Sequence, residues 1–398
     1  MSTEKMPLAG LKVLDLSRVY AGPYCTMMLG DLGAEVIKIE RPGFGDDTRD
    51  FMPKKDGESG YFAYMNRNKK SITLDLKSPK GVEIVKELAK WADVMVENFS
   101  PGVVDKLGIG YKDIVKVNPE IIYGSISGFG QFGPYKSKPA YDVVTQAMGG
   151  FMALTGEKDG TPYKLGPSIV DASAGIHMAF AIMAALYYKN KTGKGQYIDV
   201  AMMDTAFSTS ENFVVTKTLT GVAPTRNGNA NLGSAPFNCF KTSDGYVTIA
   251  CANDSLFKKL TDVMNRPDLL EIPEYGSNSL RKQNEEPLNA EIEKWTMQYK
   301  TAEIVEMLDK AKAPVGPILD VDDLVEDPHL KSRNMLINIP HPVFGDMIYP
   351  GNPLKFSLTN EIRMDSAALL GQHTDEILEN VLKKSKEEIE ELHKMEVL

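Results

Sequence analysis

In Gly166-Pro167-Ser168-Ile169-Val170-Asp171-Ala172-Ser173-Ala174-Gly175, an aspartate follows an apolar, strand-like triplet and opens a run of small apolar residues. Two roles suit a carboxylate at such a place. As a helix N-cap it would accept backbone N–H bonds and contribute about 1 kcal/mol. As an ionised group at a helix N-terminus it could instead attack an activated acyl carbon. Spacing alone favours the cap. A second candidate is Arg41, in Glu40-Arg41-Pro42-Gly43 directly after the apolar run Glu35-Val36-Ile37-Lys38-Ile39. A guanidinium beyond the carboxyl end of a parallel strand stands where such sheets bind ligands, and it matches phosphate in a bidentate manner. The plainer alternative is a surface arginine before a turn. Gly149-Gly150 and Gly128-Phe129-Gly130-Gln131-Phe132-Gly133 could bring backbone amides to a thioester oxygen, or could be tight turns.

Other chemistries find less support. No GxGxxG or GxxxxGK[ST] occurs, which argues against a standard dinucleotide fingerprint and a P-loop. His177 falls within the small-residue run and reads as a core histidine. His329, His341, His373 and His393 are scattered, and none accompanies a serine or cysteine motif. Cys25, Cys239 and Cys251 are far apart and form no CxxC, so neither a disulfide framework nor a metal site is expected. A net charge of −9 disfavours non-selective binding of nucleic acid or anionic membrane, so an anionic ligand must meet a local basic site. Met1 to Gly10 is polar without an apolar signal core, and no later stretch is read as a membrane span. The expected location is the cytosol.

The elements that must position these residues alternate. Leu11–Leu16 is strand-like and leads through Ala21-Gly22-Pro23 into a helical stretch, Tyr24 to Leu32; Glu35–Ile39 follows as a second strand. This is a βαβ unit. Ile72–Leu76, Asp93–Glu97 and Ile121–Ile126 read as further strands, with a helix starting after Pro79. Such alternation predicts an open, mostly parallel α/β sheet. Ser173 to Tyr188 predicts a helix buried on most faces, and Tyr197–Met202 another strand. Beyond it the polar loop Asn227 to Gly233 marks a change of character, so the chain at 398 residues is divided into two domains. Residues 1–224 and 326–398 are expected to form a large domain and 225–325 a small α+β domain, with a Pro-rich return after Ala313.

Taken together, the chain resembles the class III coenzyme A transferases, the formyl-CoA transferase-like family. The matching stretches are Leu14 to Pro23, Gly33 to Arg41, Asn68 to Lys77, Asp93 to Phe99, Gly166 to Gly175, Lys191 to Gln196 and Leu370 to Asp375, in the family's order. The resemblance implies a Rossmann-like large domain in an interlocked homodimer. It reverses the preference at Asp171, which falls at the family's nucleophile, the aspartate that carries CoA as a thioester between mixed anhydrides. It also implies that Val19 and Tyr20 line the CoA channel, that Arg41 and Asn98 lie at the CoA site, and that Lys106 replaces an arginine beside the nucleotide phosphate. Tyr141 and Asp142 fall beside the nucleophile. The implied partners are an acyl-CoA donor and a carboxylic acid acceptor, with no cofactor beyond coenzyme A. The same superfamily contains α-methylacyl-CoA racemases, whose histidine corresponds to Tyr141 here. A phenol near pKa 10 is a poor proton shuttle at neutral pH, so the transferase ranks above the racemase. A catalytically silent CoA-binding protein is the third alternative.

Overall fold

A computed structural model describes residues 6–359 and 363–398, so the start of the polar N-terminal segment lies outside the described residues. The chain forms two compact units. The larger comprises the described parts of Met1–Gly150, Gly166–Ser210 and Pro328–Leu398; the smaller comprises Phe151–Leu165 and Glu211–Asp327. The smaller unit departs from the expected division at residue 225: its main run starts at Glu211, with the helix Phe213–Thr220, and it also takes Phe151–Leu165 out of the expected large domain.

Six strands form the sheet of the larger unit: β1 (Lys12–Asp15), β2 (Glu35–Glu40), β3 (Lys69–Thr73), β4 (Val94–Glu97), β5 (Ile122–Ser127) and β6 (Gln196–Ala201). All pair in parallel, in the order β3-β2-β1-β4-β5-β6. That is the doubly wound order, with a topological switch point between β1 and β4. The inner strands are buried on both faces because helices cover both, and the charged Asp15, Lys38, Glu40 and Glu97 toward their carboxyl ends are buried with them. Leu14 and Leu16 point to one face, where they join Ile37, Ile72 and Leu88 with Ile377 and Leu392 of the C-terminal segment. The helices α1 (Ala21–Asp31) and α2 (Pro79–Trp91) follow β1 and β3. The third strand lies at Lys69–Thr73 rather than Ile72–Leu76, since Lys69 to Thr73 are the residues in register with Val36 to Glu40.

Three more helices carry candidate site residues: α3 (Val103–Leu107) with Lys106, α4 (Asp142–Met148) with Asp142, and α5 (Ile169–Thr192) with Asp171. α5 departs from the sequence expectation of burial on most faces. Val170, Ala174, Met178, Ile182 and Ala185 are buried, while Ile176, Phe180 and Tyr187 stand 46%, 74% and 65% exposed. The helix is apolar all round, yet its own chain covers one side.

In the smaller unit, the antiparallel strands β7 (Phe237–Lys241), β8 (Tyr246–Ala250) and β9 (Val315–Pro317) form a three-stranded sheet in the order β9-β8-β7. Phe240, Val247 and Ile249 pack with Phe257, Leu260, Ile292 and Trp295 from helices of the same unit, the α+β arrangement expected.

Candidate active site

Open parallel sheets take ligands beyond the carboxyl ends of the strands at the switch point. In this chain those ends are Leu16 to Ala21 after β1 and Asn98-Phe99 after β4. A cavity there is lined by Arg18, Val19, Tyr20, Asn98, Tyr141 and Asp171, among others. A second cavity, beyond β2 and β3, is lined by Leu16, Arg41, Leu74, Lys77, Val103 and Leu107. The two share Arg18, Asp47 and Phe99. Both lie within the larger unit, and their linings include Arg18, Arg41, Lys77, Lys136 and Lys138, local basic groups available to an anionic ligand, beside Glu40, Asp47 and Asp75.

Asp171 lies in the first turn of α5, two residues inside Ile169. It is not the cap. The buried carboxylate of Asp142 performs that task from α4, its Oδ1 accepting the N–H groups of Val170 at 2.9 Å and Asp171 at 3.1 Å. The Gln146 side chain donates to the other oxygen of Asp142 at 2.5 Å. Asp142 therefore satisfies the helix end, and no hydrogen-bond donor among the described residues reaches the Asp171 carboxylate. Burial, and secondarily the Asp142 charge, push the pKa of Asp171 up to about 7. A carboxylate so raised is a better nucleophile than a solvated one and is still substantially ionised near neutrality.

Close packing sets Asp171 in place. One turn beyond it, Gly175 faces α1, and a Cβ there would stand 2.7 Å from the Ala21 carbonyl oxygen and 3.3 Å from the Cys25 nitrogen. Only glycine allows this approach. The N-terminal turn of α1 contributes Ala21 to the same cavity wall, so Asp171 and a helix N-terminus border one space.

The loop before α1 is held by side chains. Asn98 grips Arg18 twice: its Oδ1 accepts the Arg18 N–H at 2.8 Å and its Nδ2 donates to the Arg18 carbonyl at 2.7 Å. Asp46 Oδ1 accepts the Val19 N–H at 3.2 Å, and Lys38 pairs with Asp46 Oδ2 at 2.8 Å while donating to the Ser17 carbonyl at 2.7 Å. Burial opposes the Asp46 charge, but the Lys38 ammonium and the two Thr48 donors together outweigh it and hold the pKa at about 2. Asp15 is a second anchor, accepting from Ser17 N at 2.9 Å, Thr26 Oγ1 at 2.6 Å and Lys69 Nζ at 3.0 Å. Tyr20 stacks on Tyr24, and Tyr61 meets both Tyr20 and Phe51 edge-on, giving the Asp171 cavity an aromatic flank.

The structure brings Val19, Tyr20, Asn98, Tyr141 and Asp171 to one cavity, with Asp142 behind Asp171. Arg41 lines the second cavity, its guanidinium 3.9 Å from the Phe44 ring centre. Lys106 is exposed on α3, and although Val103 and Leu107 of that helix line the second cavity, Lys106 does not. His177 is partly buried, its Nδ1 2.8 Å from the Ser173 carbonyl, and no histidine lines the Asp171 cavity. Sequence reasoning singled out neither Arg18, which borders both cavities, nor Lys136 and Lys138, which line the first. Arg18 stands inside the stretch Leu14 to Pro23, but nothing in its spacing separates it from a surface arginine. Asp46 carried no signal either, since its partners Val19 and Lys38 belong to other segments.

A doubly wound sheet, two cavities at the carboxyl ends of its strands that share Arg18, and a partly buried carboxylate without a capping task in one of them are the features of an α/β enzyme that takes an anionic ligand at the switch point. The profile of CoA-transferase family III matches residues 8–374, and the chain belongs to that family. It is a CoA-transferase, similar over most of its length to enzymes of that kind. It is 44% identical over 354 residues to the acetyl-CoA:oxalate CoA-transferase of Acetobacter aceti, covering 89% of this chain and 90% of that one. It is 38% identical over 387 residues to the succinyl-CoA:glutarate CoA-transferase of Homo sapiens, covering 97% and 88%. Among solved structures, a CAIB/BAIF family protein from Brucella suis superposes with a TM-score of 0.84 at 40% identity, covering 94% of this chain and 98% of that one.

Proposed function

We propose that this protein moves coenzyme A from an acyl-CoA to a free carboxylic acid through covalent intermediates on Asp171. The observation that carries this reading is the division of labour between two carboxylates: Asp142 caps α5, and Asp171 is left facing the cavity. An ionised Asp171 oxygen attacks the donor thioester carbon, and the C–S bond breaks to give an acyl-aspartyl anhydride and the CoA thiolate. The thiolate attacks the aspartyl carbonyl and expels the donor acid, leaving an aspartyl-CoA thioester. The acceptor carboxylate then attacks this thioester and expels the CoA thiolate, giving an acceptor–aspartyl anhydride; the thiolate attacks the acceptor carbonyl of that anhydride, forming the new acyl-CoA and releasing the Asp171 carboxylate. Each step exchanges one activated carboxyl for another, so no outside energy is consumed.

The nucleotide end of CoA fits the cavity bordered by Arg41 and Lys77, with Arg18 between it and Asp171. For the acceptor we propose a short dicarboxylic acid: the Acetobacter aceti and Homo sapiens relatives are named for oxalate and glutarate. Lys136 and Lys138 on the Asp171 cavity offer charge for a second carboxylate. The exposed apolar side of α5, with Ile176, Phe180 and Tyr187, supports a homodimer in which a second copy covers it.

Incubation with succinyl-CoA, acetyl-CoA or formyl-CoA alone, followed by hydroxylamine or borohydride trapping and peptide mass spectrometry, tests the chemistry. A modification on Asp171 is expected. Turnover of a donor and acceptor pair with no trappable adduct at Asp171 would overturn the covalent route.

A further inference from the structure

Val19 has a left-handed backbone, with φ of 66°. For a β-branched side chain that conformation is a true outlier, and it persists only where the surroundings impose it. Among the described residues, the other non-glycine residues with positive φ are Asp, Asn, Glu and Lys at turns and termini; Val19 alone is β-branched. It is also the one that lines the Asp171 cavity.

The groups that impose it are visible on both sides. Asn98, at the end of β4, holds the preceding residue through both the N–H and the carbonyl of Arg18. Asp46 accepts the Val19 N–H itself, and it is fixed by Lys38 and by the N–H and hydroxyl of Thr48 at 2.9 and 2.8 Å. Asp46 and Lys38 are buried, so this anchor is shielded from water. The twist at Val19 turns the chain sharply from β1 into α1. It thereby sets Arg18 on the wall common to the two cavities and Tyr20 and Ala21 on the wall beside Asp171.

We infer that Asn98 and Asp46 are positioning residues for coenzyme A, holding Val19 in a strained left-handed turn that sets the wall joining the nucleotide cavity to the Asp171 cavity. The inference rests on the proposed function only in taking CoA as the ligand. The Asn98 amide, spent on the Arg18 backbone, acts through that loop. A glycine at position 19 adopts the same backbone without penalty, so the turn would no longer depend on its clamp.

The test compares Asn98→Ala in two backgrounds that lack the valine side chain equally, Val19→Ala and Val19→Gly, with CoA affinity read by calorimetry. In the alanine background Asn98→Ala should weaken CoA binding about tenfold, the scale of a left-handed penalty for a residue with a Cβ. In the glycine background the same change should cost less than about threefold. The alanine variant should also melt below the glycine variant, the reverse of the usual order at an ordinary backbone position. Should Asn98→Ala not fold, Asn98→Asp, which keeps an acceptor for the Arg18 N–H and loses the donor, carries the same comparison. Equal losses in both backgrounds would overturn the inference and leave the transferase reading standing. Failure of the unsubstituted protein to bind CoA would overturn both.

Discussion

The backbone N–H of Asp171 donates to the carboxylate of Asp142 at 3.1 Å, while the carboxylate of Asp171 has no such partner among the described residues. Two acidic side chains at one helix end thus have different surroundings. Asp142 is the acceptor that the end of α5 requires, and its charge adds to burial in keeping Asp171 hard to ionise. A neutral cap would satisfy the helix equally but leave the Asp171 carboxyl more acidic and, in the proposed mechanism, less reactive.

Replacing Asp171 by Asn should abolish transfer while the fold survives. It should also change how stability depends on pH. The folded pKa of about 7 lies above the unfolded value of 3.8, so the folded state holds the proton longer, and wild-type stability is lost as pH rises from about 4 to about 7. The Asn variant lacks this loss. Its melting temperature should match the wild type near pH 4 and exceed it at pH 8, by an amount corresponding to roughly 1–4 kcal/mol. A constant difference across that range, followed by calorimetry, would contradict the raised pKa.

Asp142→Asn keeps an acceptor oxygen for the two backbone N–H groups and removes the charge. In the proposed mechanism the acidic limb of the rate profile reports ionisation of Asp171 and should move below pH 7, while stability falls by about 1–3 kcal/mol because the new amide nitrogen meets the Gln146 donor where Asp142 Oδ2 stood. Asp142→Ala should move it likewise and in addition cost about 1 kcal/mol for the lost cap. An unmoved limb in both variants, read from kcat/KM between pH 5 and 9, would show that Asp142 does not tune the nucleophile.

Arg41 and Lys106 separate by position. Arg41→Ala should raise the KM for acyl-CoA about tenfold with a smaller effect on kcat, since a phosphate contact remote from the thioester holds ground and transition states alike. Lys106→Ala should change KM less than about twofold, because that side chain lies outside the cavity lining and an exposed charge acts weakly across solvent. Steady-state kinetics at low and physiological salt would distinguish them, and equal effects would place both at the nucleotide.

Gly175→Ala places a Cβ against the Ala21 carbonyl in backbone, which cannot yield cheaply. The expected destabilisation is about 1–3 kcal/mol, with a fall in kcat larger than that loss explains, because α5 and Asp171 must shift away from α1. Denaturant unfolding alongside single-turnover kinetics checks both halves. An unaffected kcat would mean that Asp171 tolerates the displacement.

The local alphabet of the larger unit was readable from the chain alone. Apolar runs such as Leu11 to Leu16 and Glu35 to Ile39 can be satisfied only by burial on both faces, and their alternation with helical stretches implies a parallel sheet with helices on either side. Position along the chain also marked Asp171 as a residue at a helix start. What position could not decide was its task, since cap and nucleophile need the same residue in the same turn. The structure removes the capping task, because Asp142, 28 and 29 residues from Val170 and Asp171 along the chain, accepts both of their N–H groups. The turn at Val19 has the same character, for the side chains that bond its backbone, Asp46 and Asn98, arrive from the loop after β2 and from just beyond β4. Hydropathy described α5 as apolar, but which side its own chain buries depended on where α1 and the sheet lie, leaving Phe180 at the surface. Patterning along a chain reports what each segment must bury or expose; hydrogen-bond acceptors and charges that come from distant segments become partners only when the sheet order brings strand ends together.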